Sequence, residues 1–226
     1  MSKLYIIPTP IGNLEDITYR AVRILGEVTL ILAEDTRQTK KLLTHYGITN
    51  KIASHHKFNE HDKTGKLVQD MGAHHQNVAL VSDSGTPGIS DPGYLLVTTC
   101  LKNGIEVETL PGPVAFIPAL VNSGLPCDRF VFEGFLPRKK GRKKRLEMLK
   151  QETRTMILYE SPHRLLKSLV QLIEFLGKER RASVSRELTK LHEETVRGSL
   201  GELYEHFQPK DIRGEIVMVI EGTNIK

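Results

Sequence analysis

The residues best suited to chemistry in this chain sit in polar, Gly/Pro-rich turns, each at the end of an apolar run: "PTPIGN", "AEDTR", "SDSGTPGISDPG", "LPGP", "YESPHR", "SRELTK" and "RGEIV". The third is the richest. Gly85 and Gly88 admit a ligand close to the backbone, and Ser82 and Ser84 supply hydroxyls. Pro87 and Pro92 stiffen the turn, which lowers the entropy lost when a ligand orders it. "AEDTR" sets two carboxylates, Glu34 and Asp35, beside Arg37. Each stretch alone reads as a turn. Their shared position carries more weight, because open parallel sheets bind ligands beyond the carboxyl ends of their strands.

Other signatures are missing or weak. There is no G-x-x-x-x-G-K-[ST] and no G-x-G-x-x-G after the first apolar run, which argues against P-loop and dinucleotide sites. His55, His56, His61, His74 and His75 suggest metal ligation at first sight. They lack the helical i, i+4 pairing with a nearby acid, so they read as surface or loop histidines and no metal is expected. "PRKKGRKKRLEMLK" packs Arg138, Lys139, Lys140, Arg142, Lys143, Lys144 and Arg145 into one stretch, where Pro137 and Gly141 would project the charge outward. A solvated helix start is the plain reading. Repulsion among so many cations favours a polyanion, with RNA phosphate the obvious one.

The elements that must position these groups alternate along the chain. Strands are expected at Leu4–Ile7, 28–33, 77–82 and 105–110, with helices from Thr18 as N-cap, over 36–45, 60–71 and 91–103. Apolar runs separated by helices indicate a largely parallel α/β sheet covered on both faces. At "LPGPVAFIPALVNSGL" the pattern changes, which divides the chain into an N-terminal α/β domain, 1–111, and a C-terminal one, 112–226. The second half offers strands at 129–134, 154–159, 181–186, 194–199 and 214–221, with helices at 142–151, 162–176 and 199–206. The short link between 186 and 194 implies antiparallel pairing and a mixed sheet. The 226 residues are 39% hydrophobic and 26% charged, with net charge +5, an ordinary globular composition tilted toward anionic partners. With two cysteines and no apolar run approaching the roughly 20 residues needed to span a bilayer, the expected compartment is the cytoplasm.

Taken together, "LYIIPTPIGNLEDIT", "AEDTRQTKKLL", "VSDSGTPGISDPG", "LPGPVAFIPALVNSGLP", "FEGFLPRKKGRK", "YESPHRL" and "SRELTKLHEE" span nearly the whole chain and closely resemble the tetrapyrrole methylase superfamily. The match is to its ribosomal RNA branch. "PTPIGN" stands where the tetrapyrrole-modifying members carry G-x-G-x-G-D, which argues against a tetrapyrrole substrate. Lys57 stands where the branch usually has an acid.

The resemblance implies two α/β domains with a ligand cleft between them, S-adenosylmethionine as methyl donor, and a homodimer. It implies 2′-O-ribose methylation of a cytidine in the decoding centre of 16S rRNA, on the small ribosomal subunit. Donor binding carries over by position to Pro10, Gly12, Ser82, Asp83, Ser84, Gly85, Pro87, Ile89 and Ser90, and to Val114, Ala115, Tyr159, Glu160, Leu188 and Gly214. Candidates for orienting or deprotonating the hydroxyl are Glu34, Asp35, Arg37, His56, Lys57, Asn59 and Glu60. Asp35 has a second reading, as cap of the next helix paired to Arg37. His56 and Lys57 have a second reading as RNA contacts. Asp91, before Pro92, is expected to start the helix that follows. A methyltransferase for small molecules or proteins would not need the basic stretch, and a non-enzymatic RNA-binding module would not bind the donor.

Overall fold

In the computed structural model, which describes residues 2–56 and 60–223, the chain divides into two units, Met1–Val114 and Ala115–Lys226. The first alternates strand and helix: β1 (Lys3–Ile6), α1 (Tyr19–Glu27), β2 (Leu30–Ala33), α2 (Thr36–His45), β3 (Ile52–Ser54), α3 (Glu60–His74), β4 (Val78–Val81), α4 (Tyr94–Lys102) and β5 (Glu106–Thr109). Its strands run parallel in the order β3-β2-β4-β1-β5. β3 is the element that the sequence pattern did not announce: three residues at a sheet edge, too short for a periodicity to show.

β4 is buried along its whole length because alternate side chains feed two cores. Ala79 and Val81 pack with Ala21, Ile24, Leu25 and Leu43 from α1 and α2. Val78 and Leu80 pack with Val68, Met71, Leu96 and Cys100 from α3 and α4. Cys100 is fully buried, and desolvation pushes its thiol up to about 11. Helices therefore cover both faces, which is why these strands read as continuous apolar runs. The chain leaves β1 toward α1 on one face, and leaves the neighbouring β4 toward α4 on the other. Adjacent strands whose connections leave on opposite faces are where open α/β sheets bind ligands, at the carboxyl ends.

Local signals set the helix starts. The Thr18 hydroxyl accepts a hydrogen bond from the Ala21 amide at 3.1 Å and caps α1. α4 departs from expectation: Gly93, not Asp91, is its N-cap, at φ +143°, a conformation that L side chains rarely adopt. There the turn folds back, with the Gly88 amide donating to Pro92 O at 3.1 Å.

The second unit contains α5 (Phe116–Ser123), β6 (Phe130–Phe135), α6 (Arg142–Leu149), β7 (Thr155–Glu160), α7 (Leu165–Leu176), β8 (Arg181–Arg186), β9 (Glu194–Ser199), α8 (Leu200–Phe207) and β10 (Ile216–Ile220). Its sheet order is β6-β7-β10-β8-β9. β6 pairs parallel to β7 and the other pairs are antiparallel, including β8 with β9 in the register Arg186↔Glu194. Met156, Leu158, Val184, Met218 and Ile220 face a core built with Leu146, Leu169, Leu172, Leu203 and Phe207 of α6, α7 and α8. Tyr159, of opposite parity, joins an aromatic cluster with Phe132, which stacks on Phe116 of α5. The fold class is thus two α/β units, one parallel and one mixed. Among the described residues no helix is long and apolar enough to cross a membrane.

Candidate functional site

The strand-end turns of the first unit are fastened to one another. Thr9 and Gly85 form an isolated antiparallel bridge, each amide donating to the other's carbonyl at 2.9 Å. The Thr9 hydroxyl donates to Ser82 O at 3.0 Å, and the Thr86 hydroxyl to Pro113 O at 3.0 Å. A Cβ at Gly112 would meet Pro8 Cβ at 2.8 Å, so the turn after β5 lies against the turn after β1. Gly85 sits at φ +83° with Ile11 Cγ2 3.5 Å from where its Cβ would be. Three turns after β1, β4 and β5 therefore hold one another through backbone and small side chains. Of the expected donor residues, Ser82, Gly85 and Pro87 are buried in this knot. Pro10, Ser84 and Val114 are half-buried, whereas Gly12, Asp83, Ile89 and Ser90 are exposed. Ser90 is a non-glycine residue at φ +66°, one of the few such positions among the described residues.

The turn after β2 joins through a carboxylate. Asp83 Oδ1 accepts from the Asp35 amide at 2.9 Å. Asp35 itself caps α2: its Oδ1 accepts from the Arg37 amide at 2.8 Å, and Oδ2 pairs with the Arg37 guanidinium at 2.7 Å. Those bonds lower its pKa to about 2. Glu34, one residue earlier, behaves oppositely. Burial and then the Asp83 charge push its pKa up, against a smaller opposing pull from His56. The adjacent carboxylates thus differ: Asp35 braces α2, whereas Glu34 is held above the usual carboxylate range.

His56 and Glu60 lie beside this centre, with the Glu60 amide donating to His56 O at 3.0 Å. Lys57 and Asn59, the remaining candidates, lie outside the described residues. His55 corrects the surface reading of the histidines: it is 1% exposed, and burial pushes its pKa down. Its Nε2 has no hydrogen-bond partner among the described residues. No metal-type cluster occurs among those residues.

In the second unit the turns are held by charge. Glu187 and Thr189 adopt φ +52° and +65°, flanking the buried Leu188. The Glu187 carboxylate accepts from the Glu215 amide at 3.0 Å and from Lys190 Nζ at 2.9 Å, and Lys190 also reaches Glu215 at 2.9 Å. Gly214, at φ +88°, lies so close to the Glu187 side chain that any Cβ would clash. Tyr159 meets Phe132 edge-on at 5.1 Å and the exposed Phe135 at 5.6 Å. These phenylalanines escaped notice because an aromatic in a strand reads as core. Ala115 precedes α5.

Two expected site residues are used internally. Arg142 is 5% exposed, so it cannot be part of an outward basic surface. Its guanidinium donates to Gln171 Oε1 at 2.7 Å, Ser168 Oγ at 2.7 Å and Pro137 O at 3.2 Å, and lies 3.8 Å from Glu160. Glu160 in turn is 4% exposed and accepts from Ser168 Oγ and, at 2.9 Å, from the Ser161 amide. Arg145 is paired with Glu133 at 2.5 Å. Arg138, Lys139, Lys140, Lys143 and Lys144 are exposed as expected.

The comparisons with known proteins fall into line with this geometry. Residues 3–204 match the model of the Tetrapyrrole (Corrin/Porphyrin) Methylases. The chain belongs to that family. A ribosomal RNA small subunit methyltransferase I from Synechocystis is 53% identical over 99% of this chain and 80% of its own length. One from Thermotoga maritima is 49% identical over 98% of this chain and 99% of its own. Among solved structures, uroporphyrin-III C-methyltransferase from Thermus thermophilus, complexed with S-adenosylhomocysteine, has a TM-score of 0.65 at 19% identity. That likeness covers 97% of each chain and places this methylase-family member in the same fold.

Proposed function

We propose that this protein transfers a methyl group from S-adenosylmethionine to small-subunit ribosomal RNA, and that the acceptor is the ribose 2′-hydroxyl of a decoding-centre cytidine in 16S rRNA. The observation that carries the reading is the Thr9–Gly85 bridge, which gathers the turns after β1 and β4 next to the Glu34–Asp83 pair. The residues suit the donor. The exposed Gly88, at φ +85° with open space where its Cβ would be, permits close backbone approach, and the half-buried Ser84 offers a hydroxyl to its polar groups. The exposed Phe135 beside Tyr159 offers an aromatic edge for a base. Leu188 and Gly214 contribute as the turn residues of the second unit. Glu160, with its oxygens already engaged, acts by holding the turn at Ser161 in place.

The donor supplies an electrophilic methyl on a sulfonium. What the chain must do is orient the acceptor hydroxyl in line and take its proton. Glu34 suits the second task, since its raised pKa makes it a stronger base than an ordinary carboxylate. Asp35, with a pKa of about 2, is a poor base and serves α2 instead. The exposed lysines of 139–144 and Arg138 would meet rRNA phosphates. A homodimer, in the cytoplasm, completes the reading, and light scattering checks the assembly state.

The test is mass mapping of ribose methyls in 16S rRNA from cells lacking the protein and from cells complemented with wild type or Glu34→Gln. One methyl should be missing in the deletion, return with wild type and stay absent with the variant. A complete methyl set in the deletion would refute the reading, as would a purified protein that does not bind S-adenosylmethionine.

A further inference from the structure

The outward side of α2 carries Arg37, Lys40, Lys41 and His45, which with Thr44 line one shallow depression. All five are exposed, while Thr39 and Leu43 on the same helix are buried. Spacings of three, four and eight residues place these cations on one stripe. The helix "TRQTKKLLTH" holds no acid of its own. Arg37 is paired with Asp35, but Lys40 and Lys41 have no ion pair among the described residues.

This charge arrangement works against the helix. Cations in its first half oppose the positive end of the helix dipole, and Arg37 above Lys41 is an i, i+4 like-charge pair. Asp35 offsets only Arg37; among the described residues no acid pairs with Lys40 or Lys41, so an anion outside the first unit is the natural complement.

The geometry points to the phosphate backbone of an RNA strand as that complement, with the α2 stripe as its docking track. The inference rests on the proposed RNA methyltransferase reading and adds a contact surface to it. The stripe begins at Arg37, three residues beyond Glu34, so a strand whose reacting ribose lies at the sheet ends continues naturally onto it. From Arg37 to His45 the helix rises about 12 Å, room for a few nucleotides. Thr44 adds a hydroxyl for phosphate oxygen, and His45 adds charge when protonated. Exposed, repeated point charges suit a flexible polyanion better than a single bound phosphate, which would call for converging donors.

The experiment measures binding of transcribed 16S rRNA to the full-length protein as a function of salt. Each phosphate contact on a single strand contributes about 0.7 to the slope of log affinity against log salt. Lys40→Gln/Lys41→Gln should therefore flatten the slope by about 1.4 and weaken binding roughly tenfold near 0.1 M salt. Affinity for S-adenosylmethionine should not change, and Lys40→Arg/Lys41→Arg should restore the slope. An unaltered slope in a folded variant overturns the inference and turns attention to an acidic protein surface as occupant. Weaker binding with an unaltered slope overturns it too, because the lost contact is then not to phosphate. If wild type methylates rRNA while the variant keeps the slope, only this inference fails. If wild type binds neither donor nor rRNA, the functional reading fails with it.

Discussion

The turns at the strand ends of the first unit and those of the second are held by different physics. In the first, the knot is made of backbone: the reciprocal Thr9–Gly85 bonds, the Thr86–Pro113 bond and the close approach of Gly112 to Pro8. In the second it is made of charge: Arg142 beside Glu160, and Lys190 shared by Glu187 and Glu215. A backbone knot depends on which φ angles the residues allow and is blind to salt. A charged knot weakens when one partner is removed, because a buried ion loses part of what compensates it.

Removing one buried ion should do the most damage. Arg142→Met leaves the buried Glu160 with Arg164, at 3.6 Å, as its remaining cationic partner, takes the guanidinium bond from Ser168, and should cost about 2–3 kcal/mol in urea unfolding. Pairing it with Glu160→Gln should return much of the loss. A cost no larger than that of a surface substitution would show that the second knot is not held by charge. In the first unit, Gly85→Ala asks an L residue to hold φ +83° and should cost about 1–2 kcal/mol, unchanged between low and high salt. Thr9→Val keeps the shape and loses only the bond to Ser82 O, for about 1 kcal/mol.

Titration sharpens the contrast within the first unit. Glu34 has a raised pKa, so as the catalytic base it should lose its charge, and the rate should fall, at a higher pH than for an ordinary glutamate near 4.3. Asp83→Asn removes the neighbouring charge but keeps an oxygen for the Asp35 amide. Its acidic limb should therefore move to lower pH, and a limb that stays put would take Glu34 out of the role. For stability the signs oppose. The raised Glu34 contributes most below about 4.3 and loses that contribution as pH rises through its folded pKa. The lowered Asp35 contributes above about 3.9 and loses it as pH falls toward about 2.

Most elements were legible in the sequence, because apolar runs and helical spacing are local. Thr18 capped α1 where expected, α2 spans 36–45 as read, and β8 and β9 pair across their short link. Two of the readings that failed needed contacts far along the chain. Arg142 looks like one more cation of a basic stretch, and only Ser168 and Gln171, more than twenty residues on, make it a buried strut. His55 reads as one of several polar histidines, yet its amide donates to Ala33 O and β3 draws it inward. Gly93 displaced Asp91 as cap because the turn doubles back onto Gly88, which no local propensity encodes. The candidate site was legible as a set of turns. That burial and the Asp83 charge would set Glu34 apart from its neighbour Asp35 was not.

The two cysteines give the molecule a built-in clock. Cys127 is exposed in the second unit, whereas Cys100 is sealed into α4 of the first with a thiol pushed up to about 11. A thiol reagent therefore modifies the first at once and the second only when α4 comes away from β4. The ratio of the two modification rates times the breathing of the unit that carries Glu34, without any label being added to the chain.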